Sequence, residues 1–128
     1  MAGGLQVSPY ELMFFMAMRD GPAYGYELAG RFQRMTGGHI KVSYGTLYPF
    51  LRRMERRGIV RSRNDDSSGR VYYELTRRGR EAQERLSKKM KECQKDMEER
   101  LLGILAMHAE VFGRKALKGV LKHAQHVE

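Results

Sequence analysis

Apolar and polar positions along this chain keep two rhythms, and the change from one to the other divides it. Ser8 and Pro9 open the first helical stretch, "SPYELMFFMAM". Ser8 can cap the helix, Pro9 loses nothing at its first position, and Glu11 completes a capping box. This predicts a first helix from Pro9 to about Arg19. Gly21 and Pro22 then favour a turn, because the residue before a proline avoids the helical region. Helical spacing resumes with Tyr24, Leu28, Phe32 and Met35 and stops at Gly37-Gly38, a left-handed ending. Ser43 caps a third helix in which Leu47, Phe50, Leu51 and Met54 share one face, and Gly58 closes it.

At Ile59 the period shifts to that of a strand. Ile59 to Arg63 and Arg70 to Leu75 are rich in β-branched and aromatic residues and flank the turn-forming "NDDSSG". A hairpin directly after a third short helix is the wing of a winged helix. Thr76 then caps a long helix on which Ala82, Leu86, Met90, Cys93, Met97, Leu101, Ile104 and His108 recur every three or four residues. That makes a narrow apolar stripe about 40 Å long, which something must cover. Gly113 is the expected break before a last helical segment carrying Leu117, Val120, Leu121 and Ala124. The expected fold is mainly α with a small β-hairpin, a winged helix-turn-helix over residues 8–76 followed by a helical region over 77–128.

The third helix has an odd composition. Gly45 and Pro49 disfavour a helix, yet both fall on the face opposite Leu47, Phe50, Leu51 and Met54, together with Arg52 and Arg56. There the carbonyl freed by Pro49 can meet water. The small Gly45 lets the helix N-terminus, with its free N–H groups, approach a phosphate. Tyr44 and Tyr48 flank this strip and can reach base edges or backbone. Arg52 and Arg56 can neutralise phosphates, and Arg52 can read a guanine. A helix built this way suits insertion, N-terminus first, into a DNA major groove.

Charge agrees with that location. The net charge is +9, and residues 1–80 carry 14 basic against 7 acidic side chains while residues 81–128 carry 10 against 8. The polyanion-seeking surface therefore belongs to the first two thirds. One cysteine excludes an internal disulfide and a Cys-rich zinc site, the N-terminal "MAGGLQVSPY" has no signal-peptide pattern, and no apolar run reaches the length of a membrane span. The expected location is cytoplasmic, with no membrane contact. No glycine-rich phosphate loop, nucleophile elbow or acid–base pair with an orienting group is present, which argues against an enzyme and against a cofactor. His123 and His126 form H-x-x-H without a third ligand, so no metal site is assigned. His108 on the stripe reads as a hydrogen-bonded interface histidine. Cys93 reads as a small apolar residue there, with an intersubunit disulfide as the alternative.

The segments "GPAYGYELAGRF", "VSYGTLYPFLRRMERRGIV" and "GRVYYELTRRGRE" resemble, in order and spacing, the motifs of the PadR family of winged-helix transcriptional regulators. The resemblance spans about Ser8 to Glu81. It implies a homodimeric DNA-binding repressor whose partner is double-stranded DNA. It places Tyr48 and the residues near the Ser43 cap, Tyr44, Gly45 and Thr46, on the DNA with Lys41 nearby, beside the Arg52 and Arg56 already read from the helix face. The hairpin tip near Ser67 to Arg70, with Ser68 and Arg70, falls on flanking DNA, and two recognition helices enter successive major grooves of a pseudo-palindrome. It makes the C-terminal helix a dimerisation arm, through Leu86, Met90, Cys93, Met97, Leu101, Ile104 and Leu105. A small-molecule effector is left open. The chain has no tryptophan, so a pore that stacks planar ligands between tryptophans does not carry over. Tyr24 and Tyr26 read as packing under the third helix, with a phosphate contact as the alternative. One rival reading is a winged helix whose arginine face binds an acidic protein, and a second is a ligand or redox sensor that binds DNA under control of Cys93 or a dimer cavity.

Overall fold

The caps foreseen in the sequence set where the helices begin. A computed structural model describes residues 7–124. It runs α1 (Pro9–Ala17), a 3-10 turn (Met18–Asp20), β1 (Ala23–Tyr24), α2 (Gly25–Met35), α3 (Tyr44–Arg56), β2 (Val60–Asp65), β3 (Arg70–Leu75), α4 (Arg77–Glu92), α5 (Gln94–Phe112) and α6 (Arg114–Ala124). Ser8 Oγ accepts from the Glu11 N–H at 3.1 Å, Ser43 Oγ from Thr46 at 3.3 Å and Thr76 Oγ1 from Gly79 at 3.0 Å. Each such cap is worth about 1 kcal/mol.

Four helices and the sheet enclose one core. α1 gives it Phe14 and Phe15, α2 Leu28 and Phe32, α3 Leu47, Phe50, Leu51 and Met54, the strands Val60 and Leu75, and α4 Leu86. Burying side chains of this size contributes about 1.5–3 kcal/mol each, so α3 is anchored by the four residues its spacing singled out. Tyr10 stands edge-on to Phe32 at 5.6 Å, and Phe14 meets Phe50 at 5.3 Å. These contacts fix α1 against both helices of the turn.

Four expectations change. The α-helical part of the first helix ends at Ala17, and its last turn tightens into the 3-10 form before Gly21, whose φ is 95°. Arg31 of α2 reaches back and donates to the carbonyls of Ala17, Gly21 and Pro22 at 3.0, 2.7 and 3.2 Å. The Ala17 carbonyl is one that a helix end leaves unpaired, and the other two lie in the turn that follows.

The hairpin is part of a three-stranded antiparallel sheet in the order β1-β3-β2, with Ala23 opposite Tyr73 and Tyr24 opposite Tyr72. β1 was missed because two residues between a proline turn and a helix have no period to detect. The β2–β3 ladder also extends beyond the expected strand, from Val60 opposite Leu75 to Asp65 opposite Arg70. This narrows the tip to residues 66–69.

The long helix is interrupted at Cys93, whose φ and ψ are −95° and 1°. Before the interruption the stripe faces the chain's own core, and after it Met97, Leu101 and Ile104 are exposed. The expected break at Gly113 is present, with φ 90°. α6 packs back on α5, and His123 stands edge-on to His39 in the α2–α3 connection at 5.8 Å. His126 lies outside the described residues.

The start of α4 is tied to the end of α3. The Thr76 N–H donates to the Ile59 carbonyl at 3.0 Å and its hydroxyl donates to Gly58 O. A Cβ on Gly79 would lie 2.0 Å from that Ile59 oxygen, so only glycine allows this approach.

Candidate nucleic-acid interface

α3 presents its core face inward and a polar, basic face outward. Lys41, Ser43, Tyr44, Gly45, Thr46, Tyr48, Arg52 and Arg56 are all exposed, and Pro49 is half-buried. Ser43, besides capping the helix, donates its hydroxyl to Thr46 Oγ1 at 3.1 Å. Tyr44 is 53% exposed, and its ring lies 5.9 Å from that of Tyr48. A Cβ on Gly45 would meet nothing nearer than Ser43 Oγ at 3.9 Å. The fold itself makes no demand for glycine at that position.

The six arginines between Val42 and Arg63 separate into two groups. Arg57 pairs with Glu11 at 3.2 Å, and Arg61 and Arg63 both reach Glu74, at 2.8 and 3.1 Å. Arg61 and then Arg63 hold the Glu74 carboxyl below the usual range. Arg52, Arg53 and Arg56 take part in no ion pair among the described residues, and Arg53 lies over the Phe50 ring at 5.7 Å. Of these six, the uncompensated ones are thus on α3.

Tyr48 is fixed from below. A Cβ on Gly25, at the start of α2, would come within 2.5 Å of its hydroxyl and 2.8 Å of Cζ. The tyrosine ring therefore rests in space that only glycine leaves open. Tyr73 of β3 is close enough to Tyr48 for that phenol to raise its pKa, a smaller effect than burial, which also raises it.

Tyr24 and Tyr26, on either side of Gly25, do not pack under α3. Their rings are parallel at 5.7 Å, and Tyr24 also stacks on Tyr72 at 4.0 Å. The Arg70 guanidinium lies 5.4 Å from the Tyr24 ring centre and 5.1 Å from that of Tyr26, and donates to the Tyr26 hydroxyl at 2.8 Å. The Tyr24 hydroxyl donates to Asp65 Oδ2 at 2.7 Å. Tyr72 most strongly, and Asp65 after it, push the Tyr24 pKa up to about 12, against an opposing effect from Ser68. Asp65 also accepts from Ser67 and Ser68, which orders the wing tip and holds its carboxyl well below the usual range, the Tyr24 hydrogen bond acting most strongly. Ser68 stays exposed on the turn while its hydroxyl donates to Asp65. Wing, α2 and α3 thus meet around three consecutive residues, Tyr24, Gly25 and Tyr26. The sequence signal for this cluster was its tyrosines, six of the seven of which fall at positions 24, 26, 44, 48, 72 and 73.

The second predicted set divides along the chain. Leu86 and Cys93 are buried and Met90 packs against the core, all within the single chain. Met97, Leu101 and Ile104 are exposed, Leu105 is half-buried, and Leu102, Met107, Val111 and Phe112 add to the bare surface. Ile104 and Phe112 are 63% and 67% exposed. A groove of about 790 Å³ between α1 and the α4–α5 junction is lined by Met16, Met90, Met97 and Leu101 among others. His108 Nδ1 is buried without a hydrogen-bond partner within the chain. Among the described residues no three of His, Cys, Asp and Glu gather where a metal could sit, and no helix is long and apolar enough to cross a membrane.

Known proteins show the same architecture. A PadR family transcription regulator from Clostridium difficile is 28% identical over 73% of this chain and 99% of its own, with a TM-score of 0.60. A PadR-like transcriptional regulator from Bacillus cereus is 25% identical over 72% and 90%, with a TM-score of 0.62. AbfR, solved bound to DNA, shares the fold at 18% identity over 82% and 72%, with a TM-score of 0.57. No curated protein matches the sequence. The sequence model of the transcriptional regulator PadR-like family matches residues 15–85. The chain belongs to the PadR-like family. This family is one of transcriptional regulators, and the protein is a regulator and not an enzyme. The PadR-like match takes in the outward face of α3, the wing and the Tyr24–Gly25–Tyr26 junction, and it ends at Arg85, before the exposed stripe begins.

Proposed function

We propose that this PadR-like regulator is a homodimeric repressor that binds a pseudo-palindromic operator in double-stranded DNA, in the cytoplasm. Residues 8–76 read the duplex and residues 77–128 join the two copies. Each α3 enters a major groove by its N-terminus, with Tyr44, Thr46 and Tyr48 at base edges. Lys41, Ser43, Arg52 and Arg56 lie toward phosphates, and the wing, through Ser68 and Arg70, meets the flanking DNA. The observation that carries this reading is Gly45. Glycine costs helix stability relative to alanine, the surrounding fold leaves ample room for a side chain there, and the site lies among exposed tyrosines and unpaired arginines. A small residue is useful at that point if a second surface comes close.

Fluorescence anisotropy of the full chain tests the proposal. A duplex selected from a randomised library by the protein should bind far more tightly than its shuffled control, with affinity falling steeply as salt rises. Failure to retain any duplex at low salt would sink the reading and favour an acidic protein partner for the arginine face.

A further inference from the structure

The last pair of the β2–β3 ladder places Asp65 opposite Arg70, and the simplest outcome there is an ion pair. The structure does something else. Asp65 Oδ2 accepts from the Tyr24 hydroxyl at 2.7 Å and from the Ser68 hydroxyl at 2.8 Å. Oδ1 accepts from the Ser67 N–H at 3.1 Å and its hydroxyl at 2.7 Å. With its carboxylate engaged in this way, Arg70 turns to the faces of Tyr24 and Tyr26 and to the Tyr26 hydroxyl. Among the described residues it joins no ion pair.

We propose that Tyr24 and Tyr26 are positioning residues which present Arg70 to the DNA beside α3 as a fixed and unneutralised charge. A carboxylate would hold an arginine in place but would cancel its charge, and would have to be given up when a phosphate arrived. Two aromatic faces and a phenol oxygen restrict the side chain without cancelling it. The rotamer freedom an arginine loses on binding is then largely surrendered beforehand, the general advantage of preorganisation. Tyr24 is itself held, stacked on Tyr72 and bonded to Asp65. Gly25, which lies between the two positioning residues in sequence, seats Tyr48, so the reach of the wing and that of α3 are set from one short segment.

This inference rests on the DNA-binding reading, and its test separates the two. Anisotropy would be measured at several salt concentrations on the duplex selected by the wild-type protein, for Arg70→Ala, Tyr26→Phe, Tyr26→Leu and the double variant Tyr26→Phe/Arg70→Ala, each checked for wild-type helicity. Arg70→Ala should weaken binding and lower the salt slope by about one. Tyr26→Phe should weaken it by about two- to ten-fold, the effect of one hydrogen bond, with the salt slope unchanged, and Tyr26→Leu should weaken it further. The double variant should bind no more weakly than Arg70→Ala alone. Full additivity in the double variant would mean that Tyr26 touches DNA itself and would overturn the positioning role. So would wild-type affinity in Arg70→Ala or in both Tyr26 variants. If the wild-type protein selects no duplex, the DNA-binding reading fails and takes this inference with it.

Discussion

Two glycines that look alike in the sequence serve different ends, and substitution separates them. At Gly25 an added Cβ meets only the far end of the Tyr48 side chain, at 2.5–2.9 Å. Gly25→Ala should leave stability within about 1 kcal/mol of wild type, alanine being the better helix former, yet displace Tyr48 and cut the preference for operator over shuffled DNA. At Gly79 the obstacle is the Ile59 backbone carbonyl at 2.0 Å, which cannot rotate away. Gly79→Ala should destabilise the fold by about 1–3 kcal/mol, with a lower thermal midpoint and no selective loss of discrimination. Equal stability in the two variants would contradict this assignment. The same scale holds a pH effect. Because the folded Tyr24 phenol has its pKa raised to about 12, its contribution to stability is fully present below the ordinary tyrosine value near 10. It is lost as pH rises through about 12. A tyrosinate absorbance titration should show a late step that is absent in Tyr24→Phe and moved downward in Tyr72→Phe. None of this was legible in the chain, since Gly25 and Tyr48 are far apart in sequence and nothing local tells one glycine's neighbours from the other's.

The elements themselves were largely legible. Ser8, Ser43 and Thr76 announced their helices, and the spacing of Leu47, Phe50, Leu51 and Met54 identified the buried face of α3, because caps and period are local properties. What depends on distant partners was not. The arginines of "LRRMERRGIVRSR" look equivalent in sequence, but Glu11 lies 46 residues from Arg57, and Glu74 lies 13 and 11 from Arg61 and Arg63. Tertiary structure decides which charges remain free. It follows that arginine substitutions should differ by element. Arg56→Ala, on α3, should weaken operator and random DNA about equally and lower the salt slope by about one. Arg61→Ala, whose partner Glu74 is answered also by Arg63, should leave that slope nearly unchanged. Tyr48→Ala should instead erode discrimination between operator and random DNA. Identical salt slopes in Arg56→Ala and wild type would remove Arg56 from the interface.

At the scale of the whole molecule the question is what covers α5. The interruption at Cys93 separates a stripe that the chain buries for itself from one that it leaves bare, a division the periodicity could not reveal because the spacing continues unbroken across it. Leu101, Leu102, Ile104, Met107, Val111 and Phe112 make a run of large apolar side chains more than half exposed. Water-exposed apolar area of this kind is removed at roughly 25 cal/mol per Å² when a partner covers it, and a second copy offers the same surface in return, as twofold interfaces do. Two winged helices held by such an interface would bind their half-sites as one body, so the loss of dimer and the loss of operator affinity should be the same event. Leu101→Asp puts a charge into the contact, whereas Leu86→Ala opens a cavity in the protomer core. The first should yield a folded monomer by light scattering, with its thermal transition no longer dependent on concentration and its operator affinity reduced to the level of random DNA. The second should lower the thermal midpoint of a chain that remains dimeric, by about 2–5 kcal/mol of stability. A Leu101→Asp protein that stayed dimeric would move the interface away from α5, and one that was monomeric yet bound operator at wild-type strength would uncouple dimerisation from recognition.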